Sequence, residues 1–268
     1  MAAATTEFTT EYATSADGTR IAFDRLGSGP ALVLTDGALC SRAFGPARPL
    51  QAAMAERFTA VAWDRRGRGE SGDTEPYAAE REIEDLRAVI EAVGGDAFVF
   101  GQSSGAALVY HAAAAGVPMR KVAGFEAPWV GRKPGEDYLA TLDGFIDRDE
   151  RGKAIGYFLT TMVGGPAVLP FMLRLMGKPW RSMQAVAPTL RYDARVMGAD
   201  FTVPTDVLGR IAVPALVSVG GKSPLRMATA QEQVAAAIPG AEHRVLDGQT
   251  HQVSEKALLP VLTAFFGE

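Results

Sequence analysis

Cysteine and histidine are scarce in this 268-residue sequence, which contains one cysteine, Cys40, and three histidines. A single cysteine cannot form an intrachain disulfide and leaves a cysteine-based zinc site without ligands. The histidines, His111, His243 and His251, are too widely scattered to form a recognisable metal-binding motif. We therefore expect a reducing, cytoplasmic location and no metal in the function.

Long apolar runs and a strong charge of either sign are also missing. No stretch approaches the roughly 20 apolar residues of a membrane helix, and the first residues lack the basic start and apolar run of a signal peptide. The formal net charge is −4, which does not favour binding to nucleic acid or to an anionic membrane. We expect neither partner, and a monomer and a dimer are both compatible with the sequence.

The sequence does contain a regular alternation of short apolar runs and longer helical patterns. Hydrophobic residues make up 47% of the chain and charged residues 22%, which allows a large packed core. The apolar runs are hydrophobic throughout, as in parallel strands buried on both faces. This pattern predicts an α/β fold with a mostly parallel, doubly wound sheet. The predicted strands span residues 19–25, 31–35, 58–63, 97–100, 121–125, 214–219 and 243–246, and the predicted helices residues 46–57, 77–93, 106–115, 224–238 and 253–266.

The alternation is interrupted at residues 132–203, so the core is expected to comprise residues 1–131 and 204–268. The interrupting segment has helical spacing and is rich in aromatic residues and methionines. It fits either a second small helical core or a cap that lines a substrate pocket, and both can hold at once. The predicted contacts to a hydrophobic substrate, in or beside this cap, are Trp129, Met162, Met172, Met176 and Trp180.

The sequence GQSSG at residues 101–105 carries the clearest chemical signal. It follows a predicted strand and precedes a predicted helix, so its central residue lies on a tight turn with a strained backbone. Such a turn requires small residues two positions before and after the nucleophile, and Gly101 and Gly105 flank Ser103 at that distance. The turn exposes the hydroxyl and directs the helix N-terminus at a developing oxyanion. Ser103 is therefore the predicted nucleophile, with an ordinary glycine–serine turn as the alternative.

With this motif the sequence resembles the α/β-hydrolase family over essentially its whole length. The segment DRRGRGES at residues 64–71 is also similar to the family's Asp-x-Arg-Gly-x-Gly-x-Ser segment, and we interpret it as structural, through its turns and ion pairs. The resemblance implies a helical cap, no metal or organic cofactor, and a catalytic base in the loop after the last strand, where His251 lies. It also implies an oxyanion hole formed by the N–H groups of Ser104 and Ala38.

The acid of the triad is less obvious, because the loop after the predicted strand at residues 214–219 contains no carboxylate. The family usually supplies an aspartate there, whereas this sequence has Ser223. Some members carry the acid one strand earlier, and Glu126 occupies that position. Burying a carboxylate in this apolar stretch without a partner is costly, and a charged His251 would explain it. A structural glutamate is the alternative for Glu126, and Asp247, in an Asp-Gly turn, is a weaker candidate.

Asp36 departs from the family pattern, because it stands in the loop of Ala38 where the family often has histidine. A carboxylate that faces an oxyanion would raise the reaction barrier unless it were paired or protonated. We favour a role for Asp36 in bracing its own loop through backbone hydrogen bonds, with contact to the substrate as the alternative.

Together these residues predict a hydrolase that cleaves an ester, lactone or thioester bond of a small to medium hydrophobic substrate through an acyl-enzyme. The serine at position 103 argues against haloalkane dehalogenases and epoxide hydrolases, which resemble this fold but use an aspartate there. An acyltransferase, a perhydrolase or a carbon–carbon bond hydrolase could use the same residues. A ligand receptor, or a lyase or cyclase of the same fold, is the alternative from a different class.

Overall fold

A computed structural model describes residue 8, residues 10–131 and residues 137–267 of the chain. Its sheet contains the strands β1 (Thr10–Thr14), β2 (Arg20–Leu26), β3 (Ala31–Thr35), β4 (Thr59–Trp63), β5 (Ala97–Gln102), β6 (Lys121–Phe125), β7 (Ala215–Gly220) and β8 (Glu242–Leu246). They are arranged in the order β1-β2-β4-β3-β5-β6-β7-β8. β2 pairs antiparallel with both of its neighbours, and every pairing from β4 to β8 is parallel. The mostly parallel sheet predicted from the sequence is therefore confirmed.

Helices cover both faces of this sheet. The helices of the described part of the chain are α1 (Ala47–Met54), α2 (Ala79–Ala92), α3 (Ser104–Ala114), α4 (Tyr138–Asp147), α5 (Arg151–Tyr157), α6 (Leu169–Arg174), α7 (Lys178–Val186), α8 (Leu190–Met197), α9 (Thr205–Leu208), α10 (Leu225–Ala237) and α11 (Glu255–Gly267). A π-helical turn continues α5, and a 3-10 turn precedes α8. Helices α1 and α11 pack on one face, and α2, α3 and α10 on the other.

The uniformly apolar strands supply both layers of the core. Successive side chains of a strand point to opposite faces of the sheet. In β3, Leu32 and Leu34 therefore pack with α1 and α11, whereas Ala31 and Val33 join the core on the opposite face. All five residues of β3 are buried, and the strand lies between β4 and β5 in the interior of the sheet.

Helices α4 to α9 are inserted between β6 and β7, and we refer to them with their connections as the helical insertion. Its apolar side chains, such as Leu142, Phe158 and Leu190, belong to the same buried cluster as α2 and α3. The insertion therefore shares a core with the sheet instead of enclosing one of its own. No helix in the described part of the chain is both long and apolar enough to cross a bilayer.

The predicted element boundaries differ from the structure most clearly around the GQSSG motif. β5 extends to Gln102 and α3 begins at Ser104, whereas the sequence predicts a strand ending at residue 100 and a helix starting at residue 106. A single residue, Ser103, therefore makes the whole connection. The edge strand β1 is not predicted at all, because its residues are partly exposed and lack the continuous apolar run of the central strands.

Candidate active site

Ser103 connects β5 to α3 in a strained backbone conformation, with φ 58° and ψ −128°. The residues two positions before and after it, Gly101 and Gly105, must be glycine for steric reasons. A Cβ atom on Gly101 would lie 2.3 Å from the carbonyl oxygen of Gly105, and one on Gly105 would lie 2.4 Å from that of Thr35. The Ser103 N–H donates to the carbonyl of Phe125 at 2.9 Å, which ties the turn to the neighbouring strand. The strain expected from the sequence is therefore present at Ser103.

The loop after β3 lies directly against this turn. A Cβ atom on Gly37 would lie 2.8 Å from the Ser103 Cβ and 3.3 Å from its Oγ, so only glycine permits the approach. The next residue is Ala38, and Leu39 has a positive φ of 62° that turns the chain away. Ser104 begins α3, and the first N–H groups of a helix have no acceptor within the helix. The structure thus brings the loop of Ala38 against the Ser103 side chain, and Ser104 follows Ser103 as the first residue of α3.

His251 pairs with Glu126 across the carboxyl ends of β6 and β8. The His251 Nδ1 lies 2.7 Å from Glu126 Oε2. The Glu126 side chain is fully buried, whereas the His251 side chain is 41% exposed. A carboxylate at Nδ1 fixes the tautomer that leaves Nε2 free to accept a proton. The structure therefore brings together the two residues that the sequence predicts as base and acid.

The second oxygen of Glu126 is held by groups from β7 and the loop that follows it. Glu126 Oε1 accepts hydrogen bonds from the N–H of Gly220, at 2.9 Å, and from the hydroxyl of Ser223. Burial would raise the pKa of Glu126, but the hydrogen bonds from His251, Ser223 and Gly220 outweigh it and hold the pKa below its ordinary value. Ser223 therefore supports the carboxylate of Glu126 from the position where the family usually carries its own acid.

Ser103 and His251 line one cavity of about 630 Å³, together with Ala38 and Gln102. Gln102 also donates to the carbonyl oxygen of His251 at 3.1 Å, which ties the histidine loop to the residue preceding the nucleophile. No hydrogen bond joins Ser103 Oγ to the His251 ring among the described residues.

The remaining walls of this cavity are mostly apolar. One wall comes from the loop before α1 and the start of that helix, and the other from the helical insertion. The apolar residues on these walls are Leu39, Ala43, Phe44, Pro46, Pro49, Leu159, Leu169, Leu173 and Met183.

The five side chains that the sequence predicts as substrate contacts are not among the residues that line this cavity. Trp129 and Met162 are buried in the core, and the Trp129 indole donates to the carbonyl of Met197. Met172 and Met176 are each 55% exposed, and Trp180 packs beside the core cluster. The insertion reaches the cavity with Leu159, Leu169, Leu173 and Met183 in their place, because its helices present other faces to Ser103.

Asp36 points away from the cavity and into the start of α1. Its Oδ1 accepts a hydrogen bond from the N–H of Ala47 at 3.0 Å, and its Oδ2 has no partner within the described residues. Burial raises the pKa of Asp36 to about 7, against the hydrogen bond from Ala47 and the charge of Arg68. The geometry agrees with a side chain that braces its own loop, and Asp36 is not one of the residues that line the cavity.

The raised pKa of Asp36 predicts a measurable dependence of stability on pH. In the unfolded chain the carboxyl ionises near 3.8, whereas the folded protein keeps the proton up to about pH 7. Between these values the folded state binds more protons, so stability falls as pH rises, by at most about 1.4 kcal/mol per pH unit. Because asparagine does not titrate, the stability of Asp36→Asn should lack this fall with pH. The Tm of the variant minus the Tm of the wild type should therefore increase between about pH 4 and pH 8. Thermal unfolding across this range is the measurement, and a constant difference would contradict a buried, protonated Asp36.

The DRRGRGES segment supplies buried ion pairs around the site. Arg66 pairs with Asp85 and Asp17, in agreement with the structural interpretation of this segment. Arg65 and Arg68 both pair with Asp193, a fully buried carboxylate on α8 of the insertion. Sequence reasoning missed Asp193, since 128 positions separate it from Arg65 and no local pattern distinguishes it from other helical aspartates.

A mostly parallel eight-stranded sheet, a strained serine between strand and helix, and a histidine–carboxylate pair at the same sheet edge define an α/β-hydrolase architecture. The sequence of the chain matches the alpha/beta hydrolase family over residues 31–257. The chain therefore belongs to this family.

Solved structures extend the comparison. An alpha/beta hydrolase from Sphaerobacter thermophilus DSM 20745 is 46% identical, with a TM-score of 0.90 over 96% of this chain and 100% of that one. An esterase from Rhodococcus sp. ECU1013 is 21% identical, with a TM-score of 0.69 over 97% and 98% of the two chains. A thermophilic esterase from Thermogutta terrifontis is 18% identical, with a TM-score of 0.75 over 97% and 98%. The two esterases share the fold with this chain. No curated protein matches it.

Proposed function

We propose that this protein is a serine hydrolase that cleaves an ester-like bond of a small to medium hydrophobic substrate through an acyl-enzyme on Ser103. The observation that carries the proposal is the strained backbone of Ser103 in the wall of the cavity that also contains His251. A residue other than glycine keeps such a conformation only where its surroundings enforce it, and strain of this kind clusters at active sites.

In the first half of the reaction, the Ser103 Oγ attacks the substrate carbonyl carbon while Nε2 of His251 takes the hydroxyl proton. The contact of Glu126 with Nδ1 orients the ring and stabilises the imidazolium that forms. The lowered pKa of Glu126 keeps this carboxylate charged at neutral pH.

The negative charge that develops on the carbonyl oxygen is stabilised by the N–H groups of Ala38 and Ser104 in this proposal. Gly37 brings the first donor against Ser103, and the N-terminus of α3 supplies the second together with its positive dipole end. Two fixed donors of this kind act without reorganisation, and each contributes on the order of 10²–10³ in rate.

In the second half, His251 returns its proton to the leaving alcohol, thiol or enol. A water molecule then attacks the acyl carbon while the same imidazole takes its proton. The bond between Ser103 Oγ and the acyl carbon breaks, the proton passes from His251 to Ser103 Oγ, and the acid is released. The helical insertion acts as the cap in this scheme, since Leu159, Leu169, Leu173 and Met183 cover the cavity beside the nucleophile and limit the access of water to the acyl group.

The cavity favours an uncharged, apolar substrate. No carboxylate is among the described residues that line it, and its one charged side chain, Arg48, is paired with Asp24 at 2.6 Å. The volume lies within the range of small-molecule sites. A solved structure 20% identical to this chain is described as an enol-lactonase from Burkholderia xenovorans LB400, and together with the esterases above it makes esters and lactones the first substrates to examine.

A panel of p-nitrophenyl esters of increasing acyl length tests this function. We expect hydrolysis, with kcat/KM rising by up to about fourfold per methylene until the cavity is filled, because each buried CH₂ contributes about 0.8 kcal/mol. Matched esters with a terminal carboxylate should react more slowly, since Arg48, the one cation among the described residues that line the cavity, is already paired with Asp24. Products formed in the presence of methanol or hydrogen peroxide distinguish hydrolysis from acyl transfer or perhydrolysis. Absence of turnover on every ester, thioester and lactone would favour a ligand receptor.

A further inference from the structure

A buried ionic cluster lies beneath the Ser103 turn and joins it to the helical insertion. Its centre is Asp193 on α8, which is fully buried. Asp193 Oδ1 accepts from Arg65, at 2.6 Å, and from the Ser104 hydroxyl, at 2.7 Å, while Oδ2 accepts from Arg68 at 2.7 Å. One carboxylate of the insertion thus contacts the first residue of α3 and two arginines of the DRRGRGES segment.

Arg68 carries the connection on to the loop of Ala38. Its Nη1 donates to the carbonyl oxygen of Gly37 at 2.7 Å and to that of Cys40 at 3.3 Å. The carbonyl of Gly37 and the N–H of Ala38 belong to the same planar, trans peptide unit, so they point in opposite directions. Holding the Gly37 oxygen on the guanidinium therefore fixes the direction of the Ala38 N–H on the opposite side.

Ser104 is held by the same carboxylate. Its hydroxyl donates to Asp193, and Arg65 Nη1 approaches the Ser104 Oγ at 3.3 Å. Ser104 is the first residue of α3, where the N–H is not fixed by a hydrogen bond within the helix. The contact of its side chain with Asp193 therefore sets how this residue, and with it the free N–H, is presented beside Ser103.

We infer that Asp193 is a positioning residue that sets the geometry of both oxyanion donors, Ser104 directly and Ala38 through Arg68. The inference rests on the proposed function, because it assigns the two N–H groups to the oxyanion hole. It also couples the helical insertion to the reaction, since any displacement of α8 moves the anchor of both donors.

The charges of the cluster are balanced only while Asp193 is ionised. Arg65 has a second partner in Glu82, at 2.5 Å, whereas Arg68 has Asp193 as its one carboxylate partner among the described residues. Burial would raise the pKa of Asp193, but the charges of Arg68 and Arg65 and the hydrogen bond from Ser104 hold it below its ordinary value. The neutral variant Asp193→Asn would leave the guanidinium of Arg68 buried without a counter-ion and free to release Gly37.

A trifluoromethyl ketone with an aryl group tests the inference, because its adduct depends on the oxyanion hole. Ser103 Oγ adds to the ketone carbon, the proton passes to His251, and the carbonyl π electrons become an oxyanion that faces the donors. The matched methyl ketone binds without forming this adduct and reports ground-state binding alone. Titration with a fluorophosphonate counts working sites, so that kcat is expressed per site and a fraction of misfolded protein does not lower it.

For Asp193→Asn and for Arg68→Lys, which keeps the charge but loses the fork between Asp193 and Gly37, we expect kcat per titrated site to fall about tenfold or more. KM should change by less than about twofold, the inhibition constant of the trifluoromethyl ketone should rise in parallel with the loss of kcat, and that of the methyl ketone should stay constant.

Asp85→Asn is the matched control, since it breaks the buried pair with Arg66 in the same segment but contacts neither donor. It should lower the Tm and leave kcat per site and both inhibition constants unchanged. Wild-type values of kcat per site and of trifluoromethyl ketone affinity in Asp193→Asn and Arg68→Lys would overturn the inference, as would an equal loss in Asp85→Asn. If Asp193→Asn does not fold, Arg68→Lys decides alone. Failure of the proposed function has a different signature, because the wild type would then not titrate at all.

Discussion

Replacing Ser103 with alanine is expected to lower kcat/KM for a good aryl ester by about 10⁴-fold or more, because it removes the atom that forms the acyl-enzyme. His251 would then have no alcohol to activate, and any remaining turnover would come from water attack beside the oxyanion donors. The variant should still bind substrate, since the apolar walls that enclose the acyl group do not involve the Ser103 hydroxyl. Steady-state kinetics and binding of an unreactive ketone measure the two effects separately.

Cys40 provides the control for this prediction. It is the one cysteine of the chain and lines the same cavity as Ser103, so its thiol is the alternative nucleophile. Burial raises the pKa of the Cys40 thiol, so the thiol stays protonated and unreactive at neutral pH. Cys40→Ala should therefore retain most of the activity. An active Ser103→Ala variant combined with an inactive Cys40→Ala variant would reverse the assignment of the nucleophile.

The second large effect is expected from Glu126→Gln, which should lower kcat by about 10³-fold or more with little change in KM. The glutamine amide can donate to Nδ1 of His251 where the carboxylate accepts, and this favours the tautomer whose Nε2 carries the proton. Such a ring cannot take the proton of Ser103, although its position is unchanged. The measurement is the separate determination of kcat and KM for the variant and the wild type on the same ester.

Ser223→Ala serves as the matched control for Glu126→Gln. It removes the hydroxyl that donates to Oε1 of Glu126 but leaves the contact of Oε2 with His251 in place. Its loss of kcat should be much smaller, on the order of tenfold, because Oε1 keeps the hydrogen bond from the Gly220 N–H and loses one charge-assisted bond, worth roughly 1.5 kcal/mol or more. Full activity in Glu126→Gln would show that Glu126 is not the acid of this site, and Asp247 would then be the next candidate.

The parts of this site that follow from sequence are those fixed by local geometry. The two flanking glycines predict the strained turn at Ser103, because a Cβ atom at either position would collide with the backbone. The pairing of Glu126 with His251 is predicted through the resemblance to the α/β-hydrolase family, and the contact of the two side chains agrees with it, since the carboxyl ends of parallel strands meet at one edge of the sheet.

The parts that sequence reasoning missed depend on tertiary packing. Met172 and Met176 share a short stretch of the insertion with Leu169 and Leu173, yet the leucines line the cavity and the methionines face solvent. Composition identifies such a stretch as apolar but does not tell which face of each helix turns inward, because that depends on the neighbouring elements. Asp193 could not be predicted for the same reason, because its partners Arg65 and Arg68 are distant in sequence.

The most direct test of the central claim is covalent labelling of the wild-type protein with a fluorophosphonate, followed by mapping of the adduct by mass spectrometry. The proposed chemistry predicts one phosphonyl group per molecule on the peptide that carries Ser103, with labelling slowed strongly in His251→Ala. Folded wild-type protein that stays unlabelled at every pH examined, or that is labelled at another residue, would contradict it.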